Sequence, residues 1–223
     1  MKRSASIILI ISMLLGCIIM TSCRKDEPDY TLYSVGEILD GSYSSGDLFE
    51  RIQQRLRKAG MENERDSYVC VISDTETLKL IGSNRRIYIP GLYKKNKVIF
   101  LAGYDCEKGA VKDIDIPGNI RYVYNVCNYS TDENEVASVS GSGVECYDSC
   151  FNHCSKLDNP YIGGKYIKKI ENSFNNCKSL ETAVFSELPA DDAGEPVKPE
   201  ITDSFKGEKE VKFKYLKVNI KMN

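Results

Sequence analysis

The sequence has no tryptophan and only one histidine among its 223 residues. A single histidine excludes multi-histidine zinc sites and leaves little scope for histidine-based catalysis. An excess of one charge is also missing, since 30 basic and 32 acidic residues give a formal net charge of −2. A chain with this balance is not a broadly basic nucleic-acid binder. We therefore expect no nucleic acid among its partners.

Motifs for phosphate binding and for serine nucleophiles are missing as well. The chain contains no Gly-x-x-x-x-Gly-Lys-Ser/Thr loop and no Gly-x-Ser-x-Gly segment, which are the signatures of nucleotide-binding and of hydrolase turns. The sequence therefore predicts no cofactor, no metal and no enzymatic activity.

The chain opens with an apolar segment that has the layout of a secretory signal. Two basic residues precede a nearly continuous apolar run from Ile7 to Met20, as in signal peptides. The run ends in Thr-Ser-Cys23 and is followed by charged residues 24–27, a boundary that resembles the lipobox of bacterial lipoproteins. The resemblance implies a signal peptide over residues 1–22 and a lipidated Cys23 that anchors the chain in the membrane.

Two alternatives remain for this segment. Cys17 fits the residue preferences of the lipobox better, but cleavage there would leave the apolar residues 18–20 directly behind the lipid. An uncleaved membrane anchor is the second alternative, and the apolar run is at the short end of the spanning range. We prefer Cys23. The charges after it resemble the export signal of Bacteroidota-type surface lipoproteins, which implies an outer-membrane, cell-surface location.

A short motif recurs in the second half of the chain. The segment Phe151-Asn-His-Cys-Ser-Lys-Leu157 matches residues 174–180 at an offset of 23 residues, and we extend the series to copies anchored at Tyr124 and Phe205. Stacked copies of such a motif bury their apolar positions together. The positions predicted to point inward are Ile120, Tyr124, Cys127, Tyr147, Phe151, Cys154, Leu157, Ile170, Phe174, Cys177, Leu180, Ile201, Phe205 and Val211.

Stacking also predicts a distance. Tyr124, Phe151 and Phe174 are expected to follow one another at about 5 Å, the spacing of neighbouring strands. A second offset, of 27 residues, relates Ile87-Tyr-Ile-Pro to Ile114-Asp-Ile-Pro and predicts two short strands that each stop at a proline turn.

Together these patterns resemble a known family. Ile-x-x-Ser-Phe-x-x-Cys-x-x-Leu, in a chain with Ile-x-Ile-Pro segments, is similar to the BspA-like leucine-rich repeat family over residues 84–223. The resemblance implies an α/β-type repeat, a short leucine-rich-repeat solenoid, and adhesion to or recognition of a protein or glycan partner. The chain departs from the pattern at 128–135, at the insertion 189–199 and at Glu208, which replaces the last cysteine.

The residues before the repeats predict a different organisation. Residues 23–35 are mostly polar and predict a tether, and residues 36–83 predict an N-terminal cap or small α+β module. The apolar spacing of residues 47–59 predicts a helix with a basic, solvated outer side. Strands are predicted at 68–72, 78–81 and 97–101, from their runs of apolar and β-branched residues.

The remaining candidates for chemistry are weaker. Cys146, Cys150, His153 and Cys154 have the spacing of one helical face and suit zinc, but the repeat already accounts for the last two, so we disfavour a metal. A disulfide within the chain remains open, although seven unlipidated cysteines leave at least one thiol unpaired.

Carboxylates and tyrosines complete the candidates. The acidic clusters at 132–135 and 191–192 are interpreted as solvated loops, although a carbohydrate hydrolase needs such carboxylates. Tyr122, Tyr161 and Tyr166 are candidates for a binding face, with packing as the alternative. The preferred hypothesis is a surface lipoprotein that binds a protein or glycan. The alternatives are an envelope enzyme and a periplasmic accessory protein.

Overall fold

The computed structural model describes residues 30–43, 47–72, 85–103, 111–128, 138–186, 188–189 and 195–216. The predicted signal peptide (1–22), the predicted lipidation at Cys23 and the strand expected at 78–81 lie outside these residues. In the described part of the chain, neither helix is long and apolar enough to cross a membrane.

The described residues form mainly a mixed β-structure with two helices. The helices are α1 (Val35–Leu39) and α2 (Asp47–Lys58). The strands are β1 (Tyr30–Ser34), β2 (Tyr68–Ile72), β3 (Arg85–Tyr88), β4 (Leu92–Tyr93), β5 (Asn96–Ala102), β6 (Val111–Ile116), β7 (Tyr122–Tyr124), β8 (Ser138–Gly141), β9 (Cys146–Asp148), β10 (Lys169–Glu171), β11 (Thr182–Ser186), β12 (Glu200–Thr202) and β13 (Lys212–Leu216).

One large sheet has the strand order β1-β2-β5-β7-β9-β10-β12, with β4 paired to β5. Strands β1 and β4 are antiparallel to their neighbours, and all other pairs in this sheet are parallel. In the register of the last four strands, Val123 lies beside Tyr147, Tyr147 beside Ile170, and Ile170 beside Ile201.

A second layer consists of two smaller parallel sheets, β3-β6-β8 and β11-β13. Tyr161 bridges them, because it pairs with Ser140 on one side and with Val184 on the other. Ile87 lies beside Ile114 in this layer, so the two strands predicted from the 27-residue offset are confirmed. From β5 onward the strands alternate between the large sheet and the second layer, except that only the isolated bridges of Tyr161 lie between β9 and β10.

Side chains of the large sheet alternate between two apolar clusters. Val123 points into the core between the sheet and the second layer, whereas Tyr122 and Tyr124 point to the opposite face. This period of two is the normal geometry of a strand that is buried on both faces. The core also contains Ile114 and Phe185 from the second layer. The opposite face, here called the helix face, is covered by α1 and α2.

The N-terminal segment belongs to the large sheet, which differs from the expectation of a tether. β1 lies within the predicted tether 23–35 and pairs with β2 along its whole length. β2 then pairs directly with β5, so the sheet continues across the expected boundary between 36–83 and 84–223. Hydrophobic burial explains this arrangement, because β2 has apolar side chains on both faces.

Helix α2 ends one residue before the predicted limit, so the helix expected at 47–59 is confirmed. Its apolar residues Ile52 and Leu56 are fully buried against the helix face. The expected solvated basic side is wrong for Arg55, which is partly buried in an ion pair with Asp148 of the sheet. Lys58 is exposed as expected, and it pairs with Glu171 at the surface. The basic residues of the helix are evident from the sequence, but their acidic partners on the sheet are not, because those lie about 90 residues or more away along the chain.

Most of the positions predicted to point inward are buried. Eleven of them are shielded from solvent: Ile120, Tyr124, Cys127, Tyr147, Phe151, Cys154, Leu157, Ile170, Phe174, Leu180 and Phe205. The other three, Cys177, Ile201 and Val211, are partly buried and pack against the core. The prediction that these residues are buried or partly buried is therefore confirmed. One of them, however, lies in a different apolar cluster from the rest.

That member is Tyr124, whose predicted place in the aromatic stack is wrong. Tyr124 pairs with Asp148 in the sheet and contacts the helix face. The position equivalent to Phe151 is taken by Cys127, since both have a positive φ of 55°. The observed stack is Phe151, Phe174 and Phe205, with ring centroids 5.3 and 5.1 Å apart. Likewise Val123, not Ile120, aligns with Tyr147.

Side-chain amides extend the alignment into the turns after the strands. Asn128 Oδ1 accepts a hydrogen bond from the backbone amide of Asn152, and Asn152 Oδ1 accepts one from Asn175. Asn175 Oδ1 accepts the next one, from Lys206. These bonds are 2.8–2.9 Å long and satisfy amides that the short strands leave over.

Candidate functional site

A row of alternating charges crosses the large sheet just before its strands begin. Backbone hydrogen bonds place Arg121, Glu145 and Lys168 side by side. Glu145 accepts 2.5 Å and 2.7 Å bonds from Arg121 Nε and Lys168 Nζ, one on each carboxylate oxygen. Arg121 also donates to Glu64 at 3.3 Å. We call Glu64, Arg121, Glu145 and Lys168 the charged row.

Electrostatics favour the charged forms of Glu145 and Arg121. Burial acts to raise the pKa of Glu145, but the hydrogen bonds from Arg121 and Lys168 outweigh it and hold that pKa below its ordinary value. The bond to Glu145 likewise raises the pKa of Arg121. Because every member is held by a neighbour, the row presents oriented donors and acceptors at little further entropic cost.

A second, more deeply buried contact fixes α2 beside the row. Arg55 Nε donates a 2.7 Å bond to Asp148, whose side chain is only 5% exposed. The hydroxyl of Tyr122 donates to the same carboxylate oxygen at 3.0 Å. The Arg55 guanidinium also lies 3.6 Å above the ring of Tyr124, a cation–π contact. The helix is therefore attached at a defined place on the sheet.

Two clefts lie along this structure and share Arg121 and Glu145. One has a volume of about 240 Å³ and lies beside the end of α2, with Cys146 and Glu171 in its lining. The other has a volume of about 290 Å³ and includes Tyr166. Because both clefts are lined by members of the charged row, we consider the two together and call them the row groove.

The three candidate tyrosines have different places. Tyr166 is 48% exposed and lines the row groove. Tyr161 is 38% exposed and bridges the second layer instead. Tyr122 is almost fully buried and hydrogen-bonded to Asp148, so it is not exposed, although it lies in the wall of the cleft beside α2. The sequence alone does not tell which of the three tyrosines is exposed. The burial of Tyr122, for example, depends on the helices that cover its face of the sheet.

Cys146 lines the row groove but is poorly suited to act as a nucleophile. Burial raises the pKa of its thiol to about 11, and the neighbouring Tyr122 hydroxyl only partly offsets this. A cysteine reacts through its thiolate, so this thiol is largely inert near neutral pH. The row groove therefore offers oriented polar groups and one exposed ring, which suit binding.

The cysteine–histidine constellation is not helical. Cys146 lies in β9 and Cys150 in the turn that follows, so the spacing expected for one helical face does not apply. Among the described residues, no cluster of three or more histidine, cysteine or acidic side chains is arranged to hold a metal ion. The six described cysteines are all present as thiols. The acidic clusters at 132–135 and 191–192 lie outside the described residues.

Sequence reasoning missed the charged row. Arg121, Glu145 and Lys168 are separated by 24 and 23 residues, close to the offset of the repeated motif, and this is the signal that places them side by side. The charges alternate in sign at that offset, and this alternation, not a local motif, indicates that the three side chains can pair. Comparison of the chain with protein-family models, with curated proteins and with solved structures finds no significant match in any of the three.

Proposed function

We propose that this protein is a surface-anchored lipoprotein that recognises a protein or glycan through the row groove. The observation that carries the proposal is the groove itself, with its charged row held in place and Tyr166 exposed at its side. Paired charges give directional hydrogen bonds, and an exposed tyrosine ring gives apolar contact area, which together are typical of recognition surfaces.

The proposal includes a leucine-rich-repeat type of architecture, similar to the BspA-like family. Three features support it: parallel pairing at a 23-residue offset, the phenylalanine stack, and the asparagine hydrogen bonds between successive turns. In such architectures each unit buries its apolar positions against its neighbours and exposes a repeated surface. The charged row occupies that repeated surface. The lipid at Cys23 and the outer-membrane surface location rest on the sequence.

The binding proposal is tested by screening the purified full chain against glycans and host matrix proteins. The expected result is saturable binding to at least one of them. The matched variants are Tyr166→Ala, inside the row groove, and Tyr161→Ala, an exposed tyrosine outside its lining. Saturable binding that Tyr161→Ala loses and Tyr166→Ala keeps would place recognition elsewhere.

The location is tested separately, by treating intact cells with a protease. A surface lipoprotein is degraded while a periplasmic marker survives. If the protein is protected in intact cells but degraded after the outer membrane is opened, the surface claim fails and the periplasmic alternative replaces it.

A further inference from the structure

Cys154 and Cys177 occupy matching places in two neighbouring turns. They follow β9 and β10, whose residues pair at the same offset of 23 that separates the two cysteines. Cys154 Sγ donates to the carbonyl oxygen of Cys127 at 2.9 Å, and Cys177 Sγ donates to that of Phe151 at 3.1 Å. The two side chains are also close enough to interact, since Cys154 influences the pKa of Cys177.

The two thiols differ in their access to solvent. Cys154 is fully buried, whereas Cys177 is only partly buried and lines a small cavity of about 50 Å³. Lys178, Glu208 and Lys209 also line this cavity. A small reagent can therefore reach Cys177 before Cys154.

The local chemistry agrees with this order. The interaction with Cys154 lowers the pKa of Cys177 against the opposing effect of burial. Burial instead raises the pKa of Cys146, the other partly buried thiol, to about 11. A reactive thiol beside a second, shielded thiol is the arrangement of redox-active cysteine pairs.

We propose that Cys177 and Cys154 form a redox-active dithiol that reacts with disulfide compounds. The proposal is independent of the row groove, since neither cysteine lines it. Cys177 is the attacking thiol, and Cys154 is the resolving thiol.

The reaction has two exchange steps. The Cys177 thiolate attacks one sulfur of the disulfide compound, whose S–S bond breaks and releases one thiol after protonation. Cys154 then loses its proton and attacks the Cys177 sulfur, so the mixed disulfide breaks and a second thiol leaves. The two cysteine thiols are oxidised by two electrons to one disulfide, and the disulfide compound is reduced to two thiols.

The test uses hydroxyethyl disulfide and the folded full chain. After the reaction, remaining thiols are blocked and the protein is digested and analysed by mass spectrometry. The expected product is a peptide pair joined through Cys154 and Cys177, lighter than the two reduced peptides by two hydrogens. In Cys154→Ser the expected product is a stable mixed disulfide on Cys177. The control Cys146→Ser leaves the linked pair unchanged.

Alkylation of the wild-type chain gives a second measurement that needs no variant. Cys177 is expected to react with iodoacetamide about tenfold or more faster than Cys146, because more of it is thiolate at neutral pH. The proposal is overturned if no peptide linked through Cys154 and Cys177 forms in the folded chain. It is also overturned if Cys177 reacts no faster than Cys146.

Discussion

At the residue scale, Asp148 is the point where α2 and the large sheet are joined. Its buried carboxylate accepts bonds from Arg55 and Tyr122, on opposite sides of the helix–sheet boundary. Burial of a charge is costly unless it is paired and hydrogen-bonded. The geometry around Asp148 meets that condition, since Ser149 Oγ also donates to its other oxygen at 2.8 Å.

Removal of Arg55 leaves this carboxylate buried without its ionic partner. We expect Arg55→Ala to reduce the free energy of unfolding by about 2–3 kcal/mol, measured by denaturant titration. The control Arg57→Ala removes an exposed arginine from the same helix and is expected to change it by no more than about 0.5 kcal/mol. Equal effects of the two variants would mean that Arg55 does not anchor the helix.

Two buried tyrosines predict opposite effects of losing a hydroxyl. Tyr147 Oη is buried and makes no hydrogen bond, so Tyr147→Phe is expected to leave stability unchanged or raise it by up to about 1 kcal/mol. Tyr122→Phe removes the bond to Asp148 and is expected to lower it by about 1–2 kcal/mol. Thermal unfolding of both variants measures the difference, and the reverse order would contradict the assignment of these two hydroxyls.

At the scale of elements, the sequence predicted the individual helices and strands better than it predicted which elements pack against each other. Helix α2 and strands β2, β3, β5 and β6 follow from local patterns of apolar residues. The packing of α2 on the sheet does not, because it depends on side chains about 90 residues away, as for Arg55 and Asp148.

The alignment of Tyr124 failed for a related reason. Tyr124-Asn-Val-Cys resembles Phe151-Asn-His-Cys in sequence. In the parallel register, however, Tyr124 lies beside Asp148, which is three residues before Phe151. A strand position and a turn position were therefore confused, and an exchange of that kind sends a side chain to the other face of the sheet. The row groove was missed for the same reason, since Arg121, Glu145 and Lys168 become neighbours only through the pairing of the strands that follow them.

The phenylalanine stack gives a prediction at this scale. Phe174 lies between Phe151 and Phe205 and is almost fully buried. We expect Phe174→Ala to lower the free energy of unfolding by about 3–5 kcal/mol, the usual cost of truncating a buried aromatic. Phe213→Ala is the control, because Phe213 is 39% exposed and lies at the end of the cluster. A smaller loss for Phe174→Ala than for Phe213→Ala in denaturant titrations would contradict the stack.

At the scale of the whole molecule, the ion pairs on the sheet connect stability with pH. The pKa of Glu145 is lower in the folded protein than its value of 4.5 in the absence of partners. Its charge therefore stabilises the fold above about pH 4.5, and this contribution is lost as the pH falls through the lower, folded-state pKa.

Glu145→Gln tests this connection. We expect it to lower the free energy of unfolding by about 1 kcal/mol at pH 7, as for partly exposed ion pairs. The difference from the wild-type chain should shrink as the pH is lowered from 7 to below the folded-state pKa, because the wild-type carboxylate is then protonated as well. A difference that stays constant between these pH values would show that Glu145 acts through packing and not through its charge.

The central claim for the whole molecule is that the row groove recognises a partner. The most direct measurement is the dissociation constant of the best binder from the glycan and protein panel, for the wild-type chain, Arg121→Ala and Tyr161→Ala. The prediction is an affinity loss of about tenfold or more in Arg121→Ala, since truncation of a central contact costs at least 1–2 kcal/mol, and an unchanged affinity in Tyr161→Ala. Equal affinity of all three chains would contradict the assignment of recognition to this groove.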